Sequence, residues 1–476
     1  MRSFGLILGE EKHDLGTKRE IRSPYDNRVV GEVSFGTHSL LEDAIGLAHE
    51  RFPEFAREPA HKRSAWLRAI AKSIQAHADE LAQIISDEAG KPISLARAEA
   101  ARAGSVFSIA AEEALRIPGE LLSLDQVPDG TGRLGLVRRV PVGPIAAISP
   151  FNFPLNLVAH KVASALAAGN TIVVKPASQT PMSAIMLGRM ALECGLPPGI
   201  LSVVPCPASQ AQPLVEDPRM RMLSFTGSAE VGWSLKALAG RKKVLLELGG
   251  NAAAIVERDA DIETAARRLA LGAFIYAGQI CISVQRIFIQ ERAASRFYDA
   301  FLEAARNHIP CGDPSDETVR CGPMIDAANA DRILEWIDQA VSTQEAKLLL
   351  APQREGNVVT PVVLTKVPEQ LPIVAREAFG PVVVVETYRA LDPVFAKVNA
   401  SIYGLQAAIF TNNVQKTLRA FEELEVGAII HNDYPTYRVD PMPYGGVKES
   451  GMGREGPRYA IEEMTERRLL VLNAGT

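Results

Sequence analysis

Between residues 144 and 248 the chain alternates short, uninterrupted apolar runs with longer Ala-rich or amphipathic segments. The apolar runs are Ile145–Ser149, Thr171–Val174, Leu201–Val204, Met222–Phe225 and Val244–Leu246. The segments between them include Leu155–Ala168, Ser183–Glu193 and Ala229–Ala239, each of helical length. Strands buried on both faces read as continuous apolar runs, and their alternation with helices predicts a parallel, doubly wound α/β sheet. Sheets of this kind bind ligands outside the carboxyl ends of their strands. Those ends carry Asn152, Lys175, Thr226-Gly227-Ser228 and Glu247, so polar residues recur where a site is expected.

The flanking regions have other patterns. Residues 38–115 read as helical: Ser39-Leu-Leu-Glu42 is a capping box, and Ala/Leu/Glu/Arg stretches follow with few breakers until Pro118-Gly119. Apolar residues on both sides of Asp129-Gly130 predict a hairpin over 120–143, with room for a loop longer than two residues. Residues 250–432 repeat the α/β rhythm, with strands expected at Ala252–Val256, Arg286–Ile289, Val382–Glu386 and Ala407–Phe410. The tail Arg467–Asn473 is a short strand without a hairpin partner beside it in sequence, so it pairs with a sheet elsewhere, in this chain or in another subunit.

Length and composition bound these elements. At roughly 150 residues per unit, 476 residues predict about three folding units. An apolar share of 47% with 22% charged residues is that of an ordinary globular protein. The 51 basic and 56 acidic residues leave a net charge of −5, so overall charge does not draw the chain to nucleic acid. Cys194, Cys206, Cys281, Cys311 and Cys321 are odd in number and irregularly spaced, with no CxxC pair. That speaks for a reducing compartment and against a disulfide framework or a bound metal. The first apolar run is short and followed by acids, unlike a secretory leader, and no stretch is long enough to span a membrane. A cytoplasmic protein without a membrane partner is the expectation.

Four features are candidates for chemistry. A GxGxxG pattern occurs at Gly451–Gly456 but follows no expected strand, so it is rejected as a phosphate cradle. In Phe225-Thr-Gly-Ser-Ala-Glu-Val-Gly232 a strand ends in Thr-Gly-Ser and a helix begins at once, which presents backbone N–H groups to a phosphate, or is a plain helix cap. Cys281 lies between a helix and a strand, as a reactive thiol or a packing residue. Glu247 sits in an apolar strand end before Gly-Gly, as a salt-bridged glutamate or as a general base with a raised pKa.

Together these segments resemble the aldehyde dehydrogenase superfamily. The motifs, in the family's order, are PFNFP at 150–154, KPAS at 175–178, FTGS at 225–228, ELGGN at 247–251, GQIC at 278–281, EAFGP at 377–381 and PYGGVKESGMGRE at 443–455. The resemblance implies a Rossmann-like doubly wound cofactor domain (1–117 and 141–249), a second α/β catalytic domain (250–440) and a small β oligomerisation unit (118–140 and 455–476). A homodimer or a homotetramer would follow.

The resemblance also implies roles. Cys281 is the nucleophile, forming a thiohemiacetal and then a thioester. Asn152 and the Cys281 N–H form the oxyanion hole, and Glu247 activates the hydrolytic water. Lys161 and Glu455 stand where protons are passed to Glu247, or form a structural ion pair. Ser149, Pro150, Phe151, Lys175, Ser178, Thr226, Gly227, Ser228, Gly249, Glu377 and Phe379 fall at the cofactor, with Lys175 on the adenosine ribose and Glu377 on the nicotinamide ribose. Where members preferring NAD carry a glutamate three residues after the lysine, this chain has Ser178, which leaves room for a 2′-phosphate. NADP is therefore favoured over NAD. The substrate implied is a small aldehyde, with Arg102, Phe153 and Arg438 at its site. Arg102 and Arg438 together would clamp an anionic group, or are a solvated arginine and an Arg438–Asp440 surface pair. Lactaldehyde and glycolaldehyde dehydrogenases look similar over 428–447, which keeps a hydroxyaldehyde in view. Ile280 and Ile282 suggest an apolar pocket floor. The competing readings are a CoA-acylating enzyme, which generally lacks the glutamate, and a non-catalytic homologue, which would lack Cys281, Asn152 or Glu247.

Overall fold

The computed structural model describes residues 2–473. Met1 and the last three residues of the expected tail unit, 474–476, lie outside the described residues.

The apolar runs of 144–248 form the middle of an eight-stranded sheet. Ile145–Ile148 and Ile172–Lys175 are parallel neighbours, and Leu201–Val203 follows on the same side. Met222–Thr226 and Lys243–Glu247 continue the parallel sheet on the other side of Ile145–Ile148. The order therefore reverses at Ile145–Ile148, and a crevice opens at the carboxyl ends of this strand and its neighbour Met222–Thr226. The edges are closed by antiparallel pieces that sequence reading missed. On one side Leu6–Leu8 pairs with Leu201–Val203 and carries the edge strand Glu10–Lys12, and on the other Gly451–Met452 pairs with Lys243–Glu247. The Gly451–Gly456 pattern is thus a sheet edge and the loop after it. A Cβ on Gly451 would lie 2.0 Å from the Leu246 carbonyl oxygen, so only glycine permits this pairing.

A second, seven-stranded sheet holds all four strands expected beyond residue 250, in the order Val382–Tyr388, Val284–Gln290, Ala252–Val256, Gln406–Phe410. It adds Val362–Thr365 and Lys347–Leu350 on one side and Ala428–His431 on the other. The expected hairpin joins Glu120–Ser123 to Arg133–Pro141 through the long loop 124–132. The tail strand Thr465–Asn473 finds its partner in the same chain, running antiparallel to Arg133–Pro141 from Thr465↔Pro141 to Asn473↔Arg133. More than three hundred residues separate these strands, so no local turn signals the pairing. The helix Pro457–Glu463, expected in the tail unit, packs instead on the first core through Ile461, as does Met464 just after it. Among the described residues no helix is long and apolar enough to cross a membrane.

The long helices of 38–113 cover the first sheet and reach its loops through two buried carboxylates. Glu88 accepts from the N–H groups of Met182 and Ser183, at the start of the helix Met182–Glu193. Glu99 accepts from Leu155 and Asn156, both at 3.0 Å, at the start of the helix Asn156–Ala168. The other Glu99 oxygen takes the Lys91 ammonium, which is also buried and lies 3.6 Å over the Phe153 ring. Removing one member of a buried ion pair leaves the other charge unsolvated, at about 3–5 kcal/mol. Glu99→Ala should therefore lower the thermal unfolding midpoint, and more than an exposed-pair change such as Arg296→Ala. Equal midpoints for the two variants would show that Glu99 does not secure this loop.

Candidate active site

A cavity of about 870 Å3 opens at the switch point, between the two sheets. All the expected cofactor residues line it, from Ser149 to Phe379, as do Cys281, Glu247, Asn152, Arg102, Phe153 and Arg438. Lys161 and Glu455 are fully buried behind Glu247.

The Cys281 loop is held in an uncommon backbone state. Tyr276, Ala277 and Gly278 all have positive φ, and a Cβ on Gly278 would lie 2.2 Å from the Gly380 carbonyl oxygen. The loop is tied down by Gln279, whose amide donates to the carbonyls of Tyr276 and Pro323 and accepts from the Ile325 N–H. The Gln279 carbonyl accepts one Asn152 Nδ2 hydrogen at 2.8 Å, leaving the second available to a ligand. Ile280 and Ile282 pack with Tyr276, Leu405 and Tyr444 as an apolar floor.

The Glu247 loop meets the Cys281 loop through its glycines. A Cβ on Gly250 would lie 2.2 Å from the Cys281 carbonyl oxygen, and one on Gly249 2.5 Å from Glu377 Oε2. Gly-Gly after Glu247 is therefore the condition for bringing nucleophile loop, base loop and Glu377 together. Glu377 accepts from the Gly250 N–H at 2.9 Å, and burial pushes its carboxyl up to about 7.

Glu247 is 2% exposed, and neither carboxylate oxygen has a partner among the described residues. Burial raises its pKa well above the ordinary carboxylate value, and the neighbouring charge of Glu455 raises it further. Glu455 behaves oppositely. Burial alone would raise it, but Lys161 at 3.1 Å and Arg438 at 3.2 Å hold it low. Two nearby carboxyls whose environments push them apart are the arrangement of an acid–base site. Lys161 also donates to Ser224 Oγ, on the strand Met222–Thr226.

The two expected substrate arginines share the cavity but are not a pair of free cations. Arg102 is 28% exposed and binds Asp440 at 2.7 Å. Arg438 is 8% exposed, bound to Glu455, and lies 3.6 Å over the Tyr444 ring. The alternative Arg438–Asp440 surface pair does not form. Asp440 is buried and takes Arg102 and His160, and these two hold its carboxyl below the ordinary range although burial raises it.

Tyr444 is the residue that sequence reasoning missed. Its hydroxyl lies 2.9 Å from Cys281 Sγ, and it exchanges both backbone hydrogen bonds with Glu455. The only signal was its place in the PYGGVKESGMGRE segment, which says nothing about a contact to Cys281. Burial pushes the Cys281 thiol up to about 12, while the hydrogen bond with Tyr444 works against that rise.

The cavity also fits a dinucleotide. Among the described residues Ser149 Oγ and Thr226 Oγ1 have no hydrogen-bond partner, and they stand as buried polar positions on its wall. The helix Ala229–Leu238 starts at Ser228 with no side-chain cap, so its first N–H groups are free for a phosphate. Lys175 is buried nearby, and among the described residues its ammonium donates only to the Pro176 carbonyl. Ser178 donates to the Cys206 carbonyl at 3.1 Å and brings no carboxylate to this wall. Phe151 and Phe379 meet edge to face at 5.8 Å.

Comparison with known proteins gives the same reading. The model of the aldehyde dehydrogenase family matches residues 11–470. A 3-sulfolactaldehyde dehydrogenase of Priestia aryabhattai is 41% identical over 99% of this chain and 98% of its own. Aldehyde dehydrogenase 21 of Physcomitrella patens, solved with the reaction product succinate, superposes with a TM-score of 0.97 at 39% identity, covering 100% of this chain and 99% of the other. An NADP-dependent glyceraldehyde-3-phosphate dehydrogenase of Bacillus halodurans, solved with NADP, has a TM-score of 0.96 at 33% identity, with both chains covered in full.

Tyr444→Phe keeps the ring under Arg438 and removes only the hydroxyl. A thiolate that loses a hydrogen-bond donor is harder to form, so its pKa rises. The rate of Cys281 alkylation by iodoacetamide, followed against pH, should therefore shift to higher pH in this variant. An unmoved profile would show that the hydroxyl does not serve the thiolate.

Proposed function

The chain belongs to the aldehyde dehydrogenase family, and on that premise we propose that it oxidises a short aldehyde carrying a sulfonate, with NADP as the preferred cofactor. The observation that carries the substrate reading is the placement of Arg438. Its guanidinium is one aromatic ring away from the hydroxyl that touches Cys281 Sγ, with Arg102 further out on the same wall. An anionic group a few bonds from the aldehyde carbon would meet these cations while the carbonyl rests on Cys281. The name of the Priestia relative agrees with a sulfonate.

Cys281 attacks the carbonyl carbon, and the oxygen that becomes negative is met by the free Asn152 Nδ2 hydrogen and the Cys281 N–H. Donors aimed at a developing oxyanion contribute about 10²–10³ in turnover each. Ser149, Lys175, Thr226 and Glu377 would hold NADP, which would supply the hydride acceptor for the substrate carbon. Glu247 then takes a proton from the water that hydrolyses the Cys281 thioester. Its raised pKa suits a base working near neutral pH. Lys161 and Arg438 keep Glu455 ionised behind it, and that negative charge helps Glu247 hold the proton it takes.

Ser178 supports the cofactor preference, since a carboxylate there would repel a 2′-phosphate and a hydroxyl does not. A second substrate reading rests on one observation. Both guanidinium groups already hold carboxylates, Asp440 and Glu455, which lowers their pull on a second anion and favours a neutral hydroxyaldehyde. A homo-oligomer is also proposed. The tail strand is the edge of its three-stranded sheet, with Leu469 to Leu472 each 42–54% exposed, and an edge this apolar calls for cover by a second copy.

Values of kcat/KM for sulfolactaldehyde, succinic semialdehyde and lactaldehyde, each with NADP and NAD, decide among these readings. Highest values with sulfolactaldehyde and NADP are expected; higher values with lactaldehyde would overturn the substrate reading, and strict use of NAD the cofactor reading. Ser178→Glu should move preference toward NAD. Arg102→Met should raise KM for the sulfonate about tenfold, or ~1.4 kcal/mol, and leave lactaldehyde nearly unchanged. Glu247→Gln should keep a stoichiometric burst of NADPH and lose steady turnover. Full turnover by this variant only when CoA is added would instead show an acyl transfer to CoA.

A further inference from the structure

A second cavity, of about 920 Å3, lies at the opposite end of the first sheet from the active site. Its walls are the end of the helix His38–Phe55, the start of the helix Ala60–Ala76, the strand Arg133–Pro141 and the start of the tail strand. Arg221, on the wall, immediately precedes the strand Met222–Thr226, so the site faces the amino ends of the strands. The cofactor crevice is at the carboxyl ends.

Six arginines line this cavity: Arg57, Arg63, Arg138, Arg139, Arg221 and Arg468, of which Arg139 donates to the Glu462 carbonyl and the Thr465 hydroxyl. None of the six makes an ion pair among the described residues, whereas Arg102 and Arg438 in the active site each hold a carboxylate. Glu58 is the one acidic residue on the wall, and it is already 3.2 Å from the Lys62 ammonium. The chain as a whole carries a net charge of −5, so this concentration of positive charge runs against its average.

Two of the arginines are held in place by the backbone beside them. Arg63 packs over Gly169, where a Cβ would lie 2.5 Å from its Nη1. Its Nε is buried and has no acceptor among the described residues. The stem of Arg221 packs on Gly143, where a Cβ would lie 2.5 Å from its Cγ. Burial and the neighbouring Arg138 both act against the charge on Arg63, a cost that a bound anion would relieve. Guanidinium groups fixed before binding lose little freedom on meeting an oxyanion, and their forks match phosphate geometry.

We propose that this cavity is a binding site for a small phosphate-bearing anion, separate from the cofactor and substrate sites. Its concave shape and volume suit a small molecule, and the clustered donors suit more than one phosphate-type group.

The test uses the full-length enzyme saturated with NADP, so that the cofactor's own phosphate positions are filled, and inorganic pyrophosphate as the probe. Isothermal titration should show binding that weakens as salt is raised, as expected for an ionic contact. Arg63→Gln/Arg221→Gln should weaken it at least about tenfold while kcat and oligomeric mass stay as in the parent. Arg57→Gln/Arg468→Gln changes only exposed side chains and should weaken it as well, which covers the case in which the first variant does not fold. No measurable binding, or equal affinity in parent and variants, would overturn the proposal. So would a changed oligomeric mass in the exposed-pair variant, since the arginines would then serve a contact between subunits.

Discussion

The active site depends on one buried anion, the carboxylate of Glu455. It is 1% exposed and stays ionised only because Lys161 and Arg438 are bound to it. Each partner connects it to another part of the site. Lys161 reaches Ser224 on the first sheet, and Arg438 lies over Tyr444, whose hydroxyl touches Cys281. The backbone of Tyr444 returns to Glu455 through two hydrogen bonds. Nucleophile, base and sheet therefore share one electrostatic anchor. In a medium that solvates charge poorly, removal of any one member leaves another unpaired.

The same anchor sets the difference between the two carboxyls. Glu455 has two cations in contact, while Glu247, beside it, has none and no hydrogen-bond partner. Identical chemistry in neighbouring places thus gives one permanent anion and one group that holds a proton readily. Glycines make the approach possible. Gly249 and Gly250 admit Glu377 and the Cys281 carbonyl, and Gly451 lets the C-terminal segment pair against the strand that ends in Glu247.

Much of this was legible in the sequence because its signals are local. A run of apolar residues between two helices is a buried strand whatever surrounds it, and all five strands of 144–248 form with small shifts of their ends. A parallel, doubly wound sheet binds ligands at its carboxyl ends, so Asn152, Thr226 and Glu247 were expected at one edge from sequence, while the reversal at Ile145–Ile148 that opens the crevice came from the structure. The tail strand was legible as a strand, but its partner was not. Backbone pairing over three hundred residues leaves no pattern in either segment. The strands Leu6–Leu8, Glu10–Lys12 and Gly451–Met452 at the two sides of the sheet are too short to show a period.

The sequence by itself determined the order of strands and helices, the family, and the residue types able to carry aldehyde chemistry, since these rest on periodicity and on ordered motifs. Only the tertiary structure decided which charges meet. Arg438 and Asp440 are two residues apart in the chain, yet they do not pair: Arg438 takes Glu455, Asp440 takes Arg102, and the buried His160 touches both. Tyr444 becomes a neighbour of the thiol, and six arginines, most of them from distant segments, gather round one cavity. The reason is physical. Short-range patterns come from the backbone's own periods, whereas pairings of charge and hydroxyl depend on where packing of the whole chain leaves each side chain.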